Sequence, residues 1–485
     1  MNGSALTTAA AGLPAPQRAQ PSGAPGSPVP QRAQRSGAPG SSASQQPQRS
    51  ATAGPPAPQQ AHRPEPARPA HPTPTWAAAP LRPPRIPALG PERSLLVVDG
   101  RDTGRAWAPL GIRTARVGRD VTTDAPSWSA YLTALHRAGH PPHALVFDLP
   151  AATTSPERAA ELTLPALHAL GRATHSTPVR LAFLVTGRAR PELAAALGAL
   201  AQQAGAEDGR VHALCLAVQA LPSGAEDPFR LALAELALPR PELAEVRYTA
   251  TGRQVRAPYT TPDQTPAPAP APGRGAPRAA LRGGGRYLLT DTGSGTGTRL
   301  ALSLARRHRA RIVLLGPAGG PVPADAGIVT VTGRPSRADD VHAAVRTALD
   351  RFKGLDGVVH CPGHGEHRPL AALSAATAAH VLADAVTGAG HLDRATAELP
   401  LDFFALTLPA GAPLPVAGAA LPATVGRALD ALAAERARLA GAGLRHGACV
   451  TVTLHRPAGT GLPDALTRAL AGGSGELSPC APAAH

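Results

Sequence analysis

Short runs of apolar residues alternate with helical patterns along one stretch of the chain. The apolar runs are typical of buried strands, and between them apolar residues recur at the spacing of one helix face. The runs are SLLVVD (94–99), ALVFDL (144–149), RLAFLVTG (180–187) and HALCLAV (212–218). The helical patterns are Trp128–Ala138, Glu157–Ala173 and Pro191–Ala204. Because strands that alternate with helices form parallel sheets, this stretch predicts a sheet with helices on both faces.

The same alternation restarts after a proline-rich run. The predicted strands are YLLTD (287–291), RIVLLG (311–316), GIVTVT (327–332), DGVVHC (356–361), DFFALTL (402–408) and ACVTVTL (448–454). The predicted helices are 296–307, Ala338–Phe352, 375–399 and 423–440. The pattern therefore predicts an α/β protein with two units.

Segments of low complexity flank and separate these units. The first tract is rich in Pro, Ala, Gln and Arg and contains a near-duplicate, PQRAQPSGAPGS (16–27) and PQRAQRSGAPGS (30–41). With so few large apolar residues, such a tract cannot offset its ordering entropy, so we expect a disordered tail, with a docking arm as the alternative. The predicted divisions are a tail (1–92), a first unit (93–258), a linker (259–286), a second unit (287–475) and a C-terminal tail (476–485).

The net charge of +15 raises the question of nucleic-acid binding. Most of the excess lies in segments outside the predicted sheets, since residues 1–93 carry nine Arg against two Glu and residues 252–286 carry six Arg against one Asp. The folded parts are close to neutral, so a basic groove is not indicated. Nucleic-acid binding through the Arg-rich tail is the weakest of three hypotheses for function.

Four scattered cysteines, no secretory signal and no long apolar run together predict a soluble cytoplasmic protein without membrane contact.

A glycine-rich turn joins the first predicted strand of the second unit to its first helix. It reads Thr292-Gly293-Ser294-Gly295-Thr296-Gly297. In this position a turn lets backbone amides approach a pyrophosphate at the helix N-terminus. A tight turn that binds nothing would show the same glycines.

Three further segments sharpen this interpretation: GVVHCPG (357–363), LPLDFFALTLP (399–409) and ALDALAAERARLAG (428–441). With the turn, they resemble the ketoreductase domain of modular polyketide synthases, in the short-chain dehydrogenase/reductase superfamily. Residues 94–250 resemble the non-catalytic subdomain that precedes it. The resemblance implies two Rossmann-like halves, NADPH as cofactor, and reduction of a β-keto thioester on an acyl carrier protein. It assigns cofactor contacts to Gly293, Gly295, Gly297 and Gly363, and makes synthase modules or a carrier protein the expected partners.

The family's proton-transfer residues are missing from the matching positions. Reducing a carbonyl leaves an alkoxide, which needs a nearby acid and a donor aimed at its charge. The family's lysine, serine, tyrosine and asparagine positions fall on Ala385, Pro409, Pro422 and Gly426. Moreover, the only tyrosines are Tyr131, Tyr248, Tyr259 and Tyr287, and the only lysine is Lys353. We therefore assign no catalytic residue and expect a pseudoenzyme, although the resemblance to reductases leaves enzymatic activity open.

The cofactor site also departs from the family pattern. Asp291 stands where the glycine-rich turn begins with glycine, and it would place a carboxylate near an anionic pyrophosphate. Pro317 and Ala318 replace the arginines that favour a 2′-phosphate, and Thr330 replaces an acidic residue near the adenine. NADPH binding is therefore possible by resemblance but opposed by these residues.

A loop rich in possible zinc ligands follows the strand 356–361, but its spacing matches no known finger, so we assign no metal site. Its ligand types are His360, Cys361, His364, Glu366 and His367. The leading hypothesis is a reductase-incompetent, structural or docking component beside a polyketide assembly line. The alternative is a divergent oxidoreductase or epimerase on carrier-bound thioesters that uses His391 or His364.

Overall fold

The computed structural model describes most of the chain beyond residue 123. The described residues are 76–78, 94–98, 113–117, 124–139, 141–172, 178–187, 190–222, 227–238, 245–256, 280–317, 327–363, 365, 367–409, 418–454 and 462–471. The predicted C-terminal tail, most of the N-terminal tail and most of the linker lie outside them. The structure confirms the α/β class with two sheets.

The first half is built on an eight-stranded sheet in the order β1-β8-β7-β6-β5-β4-β2-β3. Its strands are β1 (Trp76–Ala78), β2 (Ser94–Val98), β3 (Arg113–Val117), β4 (Pro142–Pro150), β5 (Val179–Thr186), β6 (Val211–Val218), β7 (Glu245–Thr249) and β8 (Gly252–Arg256). Its helices are α1 (Ala125–Arg137), α2 (Pro156–Arg172), α3 (Pro191–Glu207) and α4 (Pro228–Ala237). The strands from β2 to β7 are parallel, whereas β7–β8 and β8–β1 are antiparallel.

Two helices of this half begin at aspartate caps. The Asp124 carboxylate accepts the backbone N–H of Ser127 at 2.7 Å at the start of α1, and Asp227 accepts that of Phe229 at 2.9 Å at the start of α4. Each aspartate satisfies a backbone N–H that has no partner within its helix.

One boundary of the sequence prediction needs correction. Residues 76–78 were assigned to the tail, but they form β1, which pairs with β8 in the register Trp76↔Arg256. The Arg247 guanidinium lies 4.0 Å from the centroid of the Trp76 ring. A three-residue strand carries too little alternation to be recognised, and the antiparallel pair β7–β8 was also missed.

The second half is a six-stranded parallel sheet in the order β11-β10-β9-β12-β13-β14. Its strands are β9 (Arg286–Thr290), β10 (Arg311–Gly316), β11 (Ile328–Thr332), β12 (Gly357–His360), β13 (Phe403–Pro409) and β14 (Ala448–Leu454). Its helices are α5 (Thr296–His308), α6 (Ala338–Phe352), α7 (Ala375–Leu382), α8 (Gly388–Ala395), α9 (Ala420–Gly441) and α10 (Leu462–Leu470). This order is that of a dinucleotide-binding Rossmann sheet, which confirms the predicted fold.

The helix predicted at 375–399 differs in detail. It ends at Ala395, and a π-helical turn (Ala383–Thr387) separates α7 from α8. The hydrophobic pattern continues through this turn, so the sequence pattern does not reveal it. Helix α9 begins at Ala420, three residues before the predicted start.

The two halves share one hydrophobic core, in which α9 packs against α3 and α7 packs against α2. Polar contacts cross the same interface: Thr387 Oγ1 donates to Glu157 Oε2 at 2.8 Å, and the backbone N–H of Leu370 donates to Glu207 Oε2 at 2.6 Å. Among the described residues, no helix is long and apolar enough to cross a membrane.

Candidate functional site

The glycine-rich turn lies where the strand order of the second sheet reverses. It follows β9, which has β10 on one side and β12 on the other. In open α/β sheets, ligands bind at such a reversal, outside the carboxyl ends of the strands. The structure thus places the turn where the sequence predicted a cofactor site.

The four glycines assigned to the cofactor come together at this point. Gly293 and Gly295 have left-handed backbones, with φ of 99° and 71°. A Cβ at Gly297 would collide with the carbonyl oxygen of Thr290, so this position requires glycine for helix–strand packing. The N–H of Gly363, beyond the end of β12, donates to Thr292 Oγ1. Packing alone therefore accounts for Gly297.

The Asp291 carboxylate lies inside the turn. Asp291 as a whole is 4% exposed. Oδ1 accepts the backbone N–H groups of Gly293 at 3.0 Å and Gly295 at 3.1 Å. Oδ2 accepts the N–H of Thr298 at 2.9 Å and the Thr298 hydroxyl at 2.7 Å. The side chain therefore engages four donors around the N-terminus of α5.

The four positions that the resemblance assigns to catalytic residues are all buried. Ala385 lies in the π-helical turn, Pro409 ends β13, and Pro422 and Gly426 lie in the first turns of α9. Helix α9 packs against both β13 and the π-helical turn. None of the four side chains carries a proton donor.

His360 is hydrogen-bonded to the backbone at Ala385, one of these four positions. Its Nε2 donates to the carbonyl oxygen of Ala385 at 2.9 Å, so its Nδ1 accepts from Thr290 Oγ1, at 2.8 Å. Thr290 Oγ1 in turn accepts the N–H of Cys361 at 3.0 Å. Burial lowers the pKa of His360 to about 4. The imidazole is therefore neutral, and both of its nitrogens are hydrogen-bonded. It links β12 to β9 and to the π-helical turn.

A cation does lie near the lysine position, and sequence analysis missed it. Arg334 follows β11, and its guanidinium donates to Asp384 Oδ2 at 2.6 Å and Oδ1 at 3.3 Å. Asp384, adjacent to Ala385 in the chain, neutralises this charge. No sequence pattern indicates this ion pair, because Arg334 and Asp384 are fifty residues apart in the chain.

The remaining predicted residues are dispersed. Pro317 and Thr330 are exposed, whereas Ala318 and His364 lie outside the described residues, as does Glu366. His391 Nδ1 lies 3.1 Å from the carbonyl oxygen of Pro335, and burial lowers its pKa.

The possible zinc ligands that the structure describes around the end of β12 are His360, Cys361 and His367. Burial raises the pKa of Cys361, and His367 is exposed. Within the described part of the chain, no group of three ligand side chains is placed to hold a metal ion.

Lys353 directly follows α6, at the edge of the sheet opposite the glycine-rich turn. Its carbonyl oxygen accepts from Arg286, the first residue of β9, whereas the turn follows the last residue of that strand. Lys353 therefore lies at the opposite end of β9 from the glycine-rich turn.

Comparisons with known proteins agree with this architecture. The KR domain family model matches residues 285–449. Over 175 residues the chain is 34% identical to polyketide synthase ThaG of Burkholderia thailandensis; the match covers 34% of this chain and 3% of that much longer protein.

Solved ketoreductases share the fold. An N-terminal ketoreductase from the macrolactin assembly line has a TM-score of 0.60 at 15% identity, covering 79% of this chain and 82% of that one. A-type ketoreductases from a modular polyketide synthase give 0.54 at 23% identity, covering 74% and 79%. At these identities the structural likeness establishes the fold alone. The family match and the similarity to ThaG show that residues 285–449 form a ketoreductase-like domain of the kind found in polyketide synthases.

Proposed function

We propose that this protein is a ketoreductase-like component of a polyketide assembly line that does not catalyse reduction and serves as a structural or docking unit. The observation that carries the proposal is the burial of Ala385, Pro409, Pro422 and Gly426 at the four catalytic positions. Hydride transfer to a ketone there would leave an alkoxide with neither a proton donor nor a hydrogen bond to its charge. Loss of one positioned acid alone typically costs about a hundredfold to ten-thousandfold in rate.

The neighbouring polar groups support this reading because none of them is available as a substitute acid. His360 uses both ring nitrogens in hydrogen bonds, and the Thr424 hydroxyl donates to the carbonyl oxygen of Ala420 at 2.7 Å within its own helix. The Thr407 hydroxyl donates to the carbonyl oxygen of His360 at 3.3 Å. These three donors, among the residues that the structure describes, are thus committed to hydrogen bonds within the fold.

The docking role draws support from an exposed basic surface at the amino-terminal edge of the second sheet. We call it the basic rim, and it consists of Arg306, Arg309, Arg311, Arg351 and Lys353. No ion pair is formed by these five side chains within the described part of the chain. Arg311 begins β10, and its guanidinium lies 5.8 Å from the centroid of the Phe352 ring. The rim therefore suits a partner with an acidic surface, and binding there leaves the carboxyl edge of the sheet free.

Reduction is tested by following the absorbance of NADPH with a soluble β-keto thioester. The full chain should consume no NADPH above the rate without thioester, while an active ketoreductase domain consumes it under the same conditions. Turnover at an ordinary enzymatic rate would overturn the proposal.

Docking is tested by calorimetric titration with an isolated acyl carrier protein domain of acidic net charge. The double variant R309E/R311E should weaken binding at least about tenfold, because it reverses two charges in the contact. The matched control is R137E/R172E, which makes the same charge change on exposed arginines of the first half. Equal affinities for the two variants would count against the rim.

A further inference from the structure

The glycine-rich turn already contains an anion of its own. A helix N-terminus binds anions because its first N–H groups lack helical partners and its dipole favours negative charge. In this turn, the N–H groups of Gly293, Gly295 and Thr298 all donate to the Asp291 carboxylate. The donors that a dinucleotide phosphate would use are therefore taken by a side chain of the same chain.

The backbone of the turn explains how one carboxylate reaches three amides. The left-handed conformations of Gly293 and Gly295 turn successive N–H groups toward the same side, as in the concave nests that hold phosphates. Asp291 directly follows β9, and its own N–H is fixed by the carbonyl oxygen of Leu315 at 2.9 Å. Its side chain is thereby placed at the centre of the nest.

The carboxylate is also well held there. The Thr298 hydroxyl adds a fourth hydrogen bond at 2.7 Å, and the Asp291 residue is 4% exposed. Displacing it would leave a buried charge without partners, which is costly. A phosphate that entered beside it would instead meet a like charge at close range.

We infer that the Asp291 carboxylate substitutes for the pyrophosphate in the glycine-rich turn and that the protein for this reason does not bind NADPH. The residues present thus do not fit the cofactor that the fold implies. This goes beyond the proposed function, because a domain without a proton donor could still bind the dinucleotide. A loss of affinity at this site is therefore separable from the loss of catalytic residues.

The test is a titration of the full chain with NADPH, followed by nicotinamide fluorescence and by the shift in melting temperature. The wild type should show no saturable binding. D291G removes the carboxylate and frees the amides, so it should bind NADPH at least about tenfold more tightly, a gain of about 1.4 kcal/mol. D291N removes the charge but keeps the side-chain volume, so its gain should be smaller.

The control is D227G, which removes a helix-capping carboxylate from the first half without touching the turn. It should remain silent toward NADPH. Inorganic pyrophosphate should raise the melting temperature of D291G and leave that of the wild type unchanged. Circular dichroism establishes that each variant is folded.

Saturable NADPH binding by the wild type would overturn the inference, as would folded D291G and D291N that both stay silent. If D291G does not fold, D291N decides; if neither folds, the wild-type titration decides alone. A wild type that binds NADPH without consuming it would overturn this inference and leave the proposed function standing, so the two failures are distinguishable.

Discussion

Replacing Arg427 should destabilise the whole protein, because this residue ties the second half to the first through buried charge. It lies on α9, and its guanidinium pairs with the Glu245 carboxylate of β7; the two side chains are 4% and 5% exposed. Arg427 Nη1 also donates to Gln202 Oε1 at 2.9 Å. Burial lowers the pKa of Arg427 to about 10, so it stays cationic at neutral pH. Arg256 Nη1 holds the same carboxylate, at 2.9 Å from Oε2 and 3.1 Å from Oε1.

The size of the effect follows from what each substitution leaves behind. Removing one partner of a buried ion pair typically costs 3–5 kcal/mol. R427M should cost about 3 kcal/mol, near the lower limit, because Arg256 still neutralises the carboxylate. E245Q should cost more, since it removes the carboxylate charge that two buried guanidinium groups share.

The matched control is R438M on the same helix. Arg438 is 64% exposed and pairs with Glu435, so its loss should cost less than about 1 kcal/mol. Urea unfolding followed by circular dichroism measures all three variants. A cost for R427M no larger than for R438M, or a smaller cost for E245Q than for R427M, would refute the reasoning.

Three further predictions concern tight packing and pH. G198A in α3 should destabilise by about 1–3 kcal/mol, because its Cβ would collide with the buried Glu245 carboxylate. G205A in the same helix should stabilise by up to about 1 kcal/mol, because its Cβ would meet only ordinary contact at 3.6 Å; urea midpoints that shift in the same direction would contradict this. The folded-state pKa of His360, about 4, lies below its ordinary 6.5, so the stability tied to the neutral ring is complete above pH 6.5 and declines toward pH 4, by about 3 kcal/mol. H360N should flatten that part of the profile of unfolding free energy against pH. An unchanged profile would show that protonation of His360 does not cause the loss of stability. G297A should lower the melting temperature with or without NADPH, because its Cβ would collide with a backbone carbonyl; tolerance of the substitution would mean that packing does not require this glycine.

Much of the second sheet was predictable because its strands are buried on both faces. Runs such as RIVLLG and DFFALTL are continuous apolar stretches, and their bounds in the structure agree within a residue or two. The edge of the first sheet was not predictable, because β1 has three residues and takes its stability from pairing with β8, far along the chain. Antiparallel pairing at an edge leaves no periodic signal in so short a run.

The candidate site, too, was predictable from the sequence only in part. The sequence alone shows that no tyrosine follows residue 287 and that Lys353 is the single lysine, so no Tyr-x-x-x-Lys pattern occurs in this chain. That conclusion depends on composition and needs no coordinates.

Tertiary structure decided what the remaining groups do. The four hydrogen bonds to Asp291 exist because left-handed glycines bring amides to one point, and the neutral state of His360 follows from its complete burial. The donors meet at Asp291, and water is excluded from His360, only in the folded chain. Both effects depend on atoms that are separated in the sequence.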